Sequence, residues 1–512
     1  MKKKFWIFAL VLGFLFLPLS VDAGNKIKKG TITITFGTSP VTMDPHTSSS
    51  AILTSILRFS FDTLMHRARG KAVPVPWAAK SYKVLNGGRT LEFHMREGVK
   101  FTNGEEVDAE AVKFSLMRHR APGFKTVQKR AFRAIDRVEV VSKWVVRIHL
   151  KYIDLGYLNR LANWGHLVPP KYYASINQSK AAIKPIGSGP YKLVRWRKGI
   201  GMTFKANPNY WHPKYPKVKT IRVLPLPEKG TRVAALLKGE VDIIRNIPAQ
   251  FIKQIEDNPK SGIQSTRNVR IFHLGFNPMG GPTLDRRVRQ AMAHAIDRET
   301  IVRDVVEGKG AVFNQATHQT TEGYNPKAKW PYDYNPKKSK KLLAEAGYPN
   351  GFSIDLLASS QRYPYAKAVP EALVGMLGKV GIKVNLQLVT WRTFTTRFRG
   401  QKKKRNPKPM LYYYGYGNGG GDSDNALGAQ NACKGKWSGH CNPAMDALLR
   451  VAGSATTLER RQEIFRLTEE AMAKDAAKLI IWQTDDIYGL TKRVDFKIRN
   501  DDRIDIWMAD LK

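Results

Sequence analysis

From Thr31 onward the sequence keeps switching between two periods, and this alternation restricts the chain to sheets covered by helices. Residues 31–36 (Thr-Ile-Thr-Ile-Thr-Phe) alternate polar and β-branched apolar side chains, the pattern of a half-buried strand that stops at Gly37. Residues 90–95 and 144–150 read as further strands, and between them Asp108 opens a helix with Ala111, Val112, Ser115 and Leu116 on one face. Beyond residue 218 the two periods interleave. Helices are predicted over 231–238, from Asp285 onward, and over 336–346, 366–380 and 458–474. Strands are predicted over 241–244, 269–277, 353–357 and 383–389. In the Asp285 helix Val288, Ala291, Met292, Ala295 and Ile296 form the inward stripe. No 20–50-residue period repeats, which excludes a solenoid. A length of 512 residues exceeds one hydrophobic core, so two or three α/β or α+β domains are expected.

The N-terminus has a different pattern. Lys2, Lys3 and Lys4 precede an apolar run from Phe5 to Leu19, and Val21-Asp22-Ala23 ends on a small residue. That is the layout of a secretory signal peptide cut after Ala23, and the run is short for a membrane span. No cysteine follows it, so no lipid anchor is expected, and the mature chain belongs outside the cytoplasm, in the periplasm. Cys433 and Cys441, in a Gly-rich stretch, are expected to pair there and close a short loop.

Formal net charge is +43, and removing three Lys and one Asp with residues 1–23 leaves +41. The basic residues are spread along the whole chain. The one dense run, Lys402-Lys403-Lys404-Arg405, reads as a solvated loop, so the charge is read as a surface adaptation and no nucleic acid is expected as partner. A secreted protein binding polyanions is the alternative from another class.

Catalytic and cofactor signatures do not emerge. The eleven histidines are scattered singly, with no HExxH and no metal-spaced His/Cys set, so neither metal nor cofactor is expected. There is no GxSxG elbow and no Walker loop. Gly187-Ser188-Gly189-Pro190 precedes a strand rather than a helix and lacks one backbone N–H, so it reads as a turn, not a phosphate cradle. The acid pairs Asp422/Asp424, Asp485/Asp486 and Asp501/Asp502 are neighbours only in sequence, which makes no catalytic dyad. No enzyme activity is expected.

Several segments together resemble the extracellular solute-binding proteins of family 5, the peptide, nickel and opine receptors of ABC importers. They are Pro76-Trp77-Ala78-Ala79, then Leu91 to Glu105 with its Arg96-Glu97-Gly98-Val99-Lys100-Phe101, and Val107 to Leu116. Gly187 to Tyr191, Asn209-Tyr210-Trp211, Leu237 to Asp242, Asp285 to Arg298, and Tyr334-Asn335-Pro336 with Leu342 to Tyr348 follow in the family's order. The resemblance implies a type II periplasmic binding protein fold of cluster C: two lobes with mixed α/β sheets, a hinge, and an extra subdomain in the large lobe. It places the large lobe at residues 24–280 plus 486–512, its subdomain at about 60–185, and the second lobe at 281–485. It further implies a monomer that encloses a short peptide or peptide-like solute and delivers it to ABC permease subunits, with a nickel-chelate or opine receptor as the alternative.

Site residues follow from the same resemblance. Arg362, with Tyr363 and Tyr365, resembles the segment that faces a dipeptide's C-terminal end, and its planar fork suits a carboxylate. Trp391 falls where an aromatic often lines the pocket. Thr38 and Ser39 lie in a segment that contributes to the cleft, and Asn277, Tyr416 and Asn418 are further candidates. One departure stands out. Aligning Asp422-Ser423-Asp424-Asn425 with the family's Asp-Pro-Asp-Asn-like run puts Gly419 where peptide receptors carry the acid that pairs with the α-ammonium. Unless Asp422 substitutes, a free N-terminus would be enclosed unpaired, at a penalty of several kcal/mol. Blocked or amino-modified peptides then become candidates.

Overall fold

A computed structural model describes residues 28–512, apart from 49, 72, 130, 278–280, 361, 403–407, 419, 420, 422 and 440. The expected leader and Gln361, Lys403, Lys404, Arg405, Gly419 and Asp422 therefore lie outside the described residues.

One 11-stranded mixed sheet runs through the molecule. Its order is Ile382–Val389, Phe352–Ser359, Met410–Gly417, Ser261–Asn277, Lys478–Thr491, Ile243–Arg245, Lys28–Phe36, Val218–Pro225, Gly201–Ala206 and Tyr191–Arg197, with Gly310–Val312 joined to Lys478–Thr491. Two cores lie along it. Ile32, Ile34, Phe59, Phe204, Ile221 and Trp507 belong to one, and Phe272, Leu274, Ile354, Leu373, Tyr413 and Trp482 to the other. A separate four-stranded antiparallel sheet is built from Ala79–Leu85, Thr90–Met95, Val145–Leu150 and Ile135–Ser142. It packs a third core with the helices Ala109–Arg118 and Tyr157–Trp164.

Lys28–Phe36 departs from its pattern. Thr33 and Thr35 are buried along with the isoleucines, because strands flank it on both sides and the sheet is covered on both faces. The predicted strand 269–277 starts earlier, at Ser261. Strand 241–244 is observed as Ile243–Arg245, since Asp242 turns its carboxylate to the Thr33 N–H (2.8 Å) and to Arg493 (2.7 Å). Asp108 and Asp285 cap their helices as expected. Lys402 is the last residue of a helix, Trp391–Lys402, rather than part of a loop.

The recurring motifs meet on one buried carboxylate. Asp62 accepts hydrogen bonds from Trp77 Nε1 (2.9 Å), Tyr210 Oη (2.8 Å), Trp211 Nε1 (3.1 Å) and Ser188 Oγ (3.0 Å). Burial pushes its pKa up while these four donors oppose the shift. The Gly187–Gly189 turn passes over the end of the helix Ala51–Ser60 so closely that a Cβ at Gly187 would stand 2.1 Å from the Ser60 carbonyl oxygen. Close approach, not anion binding, requires glycine there.

Candidate functional site

The strand directions define where a ligand site can form. Ser261–Asn277 and Lys478–Thr491 are the long strands, and each serves both cores. Residues 261–267 pair with 485–491 beside the first core, and residues 271–275 pair with 478–483 in the second. The pairing is irregular between Arg267 and Ile271, where the two strands cross from one core to the other. Met410–Gly417 runs antiparallel to Ser261–Asn277, and Phe352–Ser359 and Ile382–Val389 run parallel to Met410–Gly417. Met410–Gly417 therefore ends at the crossing, and the other two point toward it and end about three residues short. Lys28–Phe36 has the opposite sense, parallel to Ile243–Arg245, and from the first core it ends at the same junction. Carboxyl ends of strands from both cores thus face one crevice, the position at which open α/β sheets hold ligands.

Side chains just past those ends come together. Arg362 and Tyr363 follow Phe352–Ser359, and Trp391 follows Ile382–Val389. The exposed Arg362 guanidinium lies 4.1 Å from the Trp391 ring and 5.5 Å from that of Tyr363. Trp391 stacks in turn on Phe394 (5.1 Å) and Trp437 (5.8 Å). A cation over an aromatic face is held in orientation while its N–H fork stays in water. Tyr363 is buried and donates its hydroxyl to the Gly415 carbonyl (3.1 Å). Tyr365 sits at φ 53°, a left-handed conformation that costs about 1–2 kcal/mol in a non-glycine residue. Its ring lies 6.3 Å from Trp482, and burial pushes its hydroxyl up to about 12.

The other candidates fall into place less evenly. Tyr416 is half-buried in Met410–Gly417, opposite Ile271. Asn418 is 2% exposed, and its carbonyl accepts from His318 Nε2 at 3.0 Å. Thr38 is exposed; Ser39 Oγ accepts from the Gly199 N–H (3.2 Å), and neither makes a described contact with the Arg362 group. Asn277 is not brought to this edge. It pairs with Met410, seven residues from the Arg270–Gly417 pair, or about 23 Å along the strand. Cys433 and Cys441 form a disulfide.

Sequence reasoning missed an ionic network that backs the crevice. Arg270 gives one nitrogen to Asp502 (2.6 Å) and another to the Gly415 carbonyl (3.1 Å), while its guanidinium lies 5.6 Å from the Tyr363 ring. Asn268 bridges Asp486 (3.0 Å) and Asp502 (2.9 Å), and Arg245 holds Asp486 at 2.7 Å. Burial raises Asp486; at Asp502 the pull of Arg270 and Arg245 outweighs burial and keeps the carboxyl below its usual range. Gly417 is pressed onto this network, since a Cβ there would meet Asp502 at 2.9 Å. Arg67 closes on Gly421 in the same way. The available signal was a charged residue, Arg270, set between the apolar Val269 and Ile271-Phe272.

Among the described residues no group of His, Cys, Asp and Glu is placed to hold a metal ion. Also among them, no helix is long and apolar enough to cross a membrane.

Comparison with known proteins agrees with this geometry. Residues 73–438 match the model of bacterial extracellular solute-binding proteins, family 5 Middle. The glutathione-binding protein GsiB of Pectobacterium atrosepticum is 28% identical over 364 residues, covering 69% of this chain and 68% of that one. HbpA2 from Haemophilus parasuis has the same fold, with a TM-score of 0.82 at 23% identity over 94% of this chain and 100% of its own. The dipeptide binding protein of Pseudoalteromonas sp. SM9913, solved with Met-Leu, superposes with a TM-score of 0.79 at 23% identity, over 94% and 100% of the two chains. The fold is the two-lobed type II periplasmic binding protein fold with mixed α/β sheets. Because the family model spans well over half of the 512 residues, the chain belongs to family 5 of the bacterial extracellular solute-binding proteins.

Proposed function

We propose that this protein is the receptor of an ABC importer, which captures a short peptide or peptide-like solute between its lobes and passes it to the permease subunits. The observation that carries this reading is the convergence of strand ends from both cores on the crossing of Ser261–Asn277 and Lys478–Thr491. Two strands spanning two cores make a hinge, and closure about it would exclude water from the solute. The lobes divide near that crossing: the large lobe is residues 24–280 with 486–512, except that 271–277 pack in the second core and go with 281–485, and the third core is the subdomain within 60–185. Arg362 supplies the fork for a solute carboxylate, and Trp391 with Tyr363 supplies the apolar wall. The chain acts as a monomer, exported and cut after Ala23, and performs no reaction itself. Relatives named for glutathione and for a Met-Leu complex support a small solute bearing carboxylates.

Native mass spectrometry of protein from its own host, followed by denaturation, tests this reading. A stoichiometric small molecule in the released fraction is expected. Heterogeneous polyanion alone would overturn it and make the +41 charge left after removal of residues 1–23 the leading clue.

A further inference from the structure

Where the third core meets the first lies a cavity of about 860 Å³ that the junction does not account for. It lies between the C-terminal half of the helix Ala109–Arg118, the following loop, and the helix Pro170–Ala174. Its volume is within the range of pockets that hold small organic molecules. Phe114, Met117, Phe124, Tyr173 and Ile176 give it apolar walls.

The cations around it are not equivalent. Arg118 is neutralised, with its two terminal nitrogens 2.8 and 2.7 Å from the two oxygens of Asp44, which is fully buried. Its guanidinium lies 4.3 Å from the Phe124 ring and 4.9 Å from the Tyr173 ring, fixing both. Arg120 donates to the carbonyls of Ile135 (2.7 Å) and Asp136 (2.9 Å), and neither acceptor cancels its charge. Lys113 is exposed and forms no ion pair among the described residues, although Glu110 also lines the cavity. The lining thus keeps one net positive charge beside aromatic and aliphatic walls. An apolar body with a single negative group matches both features, because the body leaves water while its charge stays at the wet rim.

We propose that this cavity is a second binding site, separate from the junction, for a small amphipathic anion of the aromatic carboxylic acid class. Calorimetric titration of the intact mature protein with 2-naphthoate tests it, with 2-naphthamide as the uncharged counterpart and acetate as the charge without the body. One site per chain is expected for naphthoate, the amide binding about tenfold more weakly and acetate giving no saturable heat. Lys113→Glu, on an exposed side chain, and Ile176→Glu, in the wall, should each weaken naphthoate about tenfold or more, while Trp391→Ala at the junction leaves it unchanged. If Ile176→Glu fails to fold, Lys113→Glu decides alone. Equal affinity for acid and amide, an unchanged Lys113→Glu, or loss in Trp391→Ala would each overturn the proposal.

Discussion

Asp62 and Asp505 are both buried aspartates, 3% and 2% exposed, and the protein satisfies them in opposite ways. Asp62 is surrounded by neutral donors: two indoles, a phenol and a hydroxyl. Asp505 receives Arg499 at 2.7 Å and Arg58 at 3.1 Å, and Arg499 also clamps Asp501 at 2.8 and 2.5 Å. Burial raises both acids. At Asp62 the neutral donors do not reverse it, whereas at Asp505 Arg499 and Arg58 do, and the carboxyl falls to about 2. The lesson is that a buried acid in this fold is a packing device in one place and a charge lock in another. The lock closes the C-terminal segment, whose Asp502 also holds Arg270 and, through Gly415, the strand that ends at the crevice.

The largest effect should come from breaking the lock. Arg499→Met takes both clamping bonds from Asp501 and leaves Asp505 with Arg58 alone, and is expected to lose about 4 kcal/mol in urea unfolding at pH 7. Asp62→Ala leaves two buried and two half-buried donors without their acceptor, and about 3 kcal/mol should be lost in the same measurement. The pH dependences sharpen the contrast. Asp505 lies below its ordinary 3.8, so its contribution is present above that pH and is lost as pH falls toward about 2. Asp62 lies above 3.8, so its contribution is full below that pH and declines as pH rises through its folded value. Unfolding curves of Asp505→Asn and Asp62→Asn, each subtracted from wild type, should therefore slope in opposite directions with pH.

A third buried group is a histidine. His46 packs against His119 at 4.4 Å, donates from Nε2 to the His166 carbonyl (2.9 Å) and accepts from Arg118 at Nδ1 (3.1 Å). Burial is the main cause that lowers it from 6.5 to about 4. The neutral form is thus the folded one, and stability should fall by about 2–3 kcal/mol as pH drops from 6.5 to 4. His46→Gln should flatten that part of the pH–stability curve. Opening the disulfide as Cys433→Ser with Cys441→Ser removes a short loop closure, and about 2 kcal/mol should go with it in chemical unfolding.

Legibility in the sequence follows the same division. The Asp62 partners sit in compact motifs, and the capped helices and the strand Thr90–Met95 carried their periods plainly. The helix Trp391–Lys402 was not foreseen, because its threonines and Gly400 are poor helix formers held by packing of Trp391, Phe394 and Phe398. Arg362, Tyr363 and Trp391 were found as separate residues, but only the parallel pairing of two strands shows that they share an edge. Asp501 and Asp502 were visible as an acid pair and set aside. Arg499 stands two residues from Asp501, but Asn268 and Arg270, which hold Asp502, come from a strand 234 and 232 residues away, and local periodicity carries no information about such a meeting.

The most direct test of the account is calorimetric titration of wild type and Arg362→Ala with the solute released from native protein, alongside the Tm of each empty protein. Glutathione and Met-Leu serve as solutes if the purified protein is empty. The account predicts that affinity falls about tenfold to a hundredfold. The empty proteins should melt within about 1 °C of each other, because Arg362 is exposed. Unchanged affinity, or a Tm loss matching the loss of binding, would contradict a carboxylate-binding Arg362 at the mouth of the crevice.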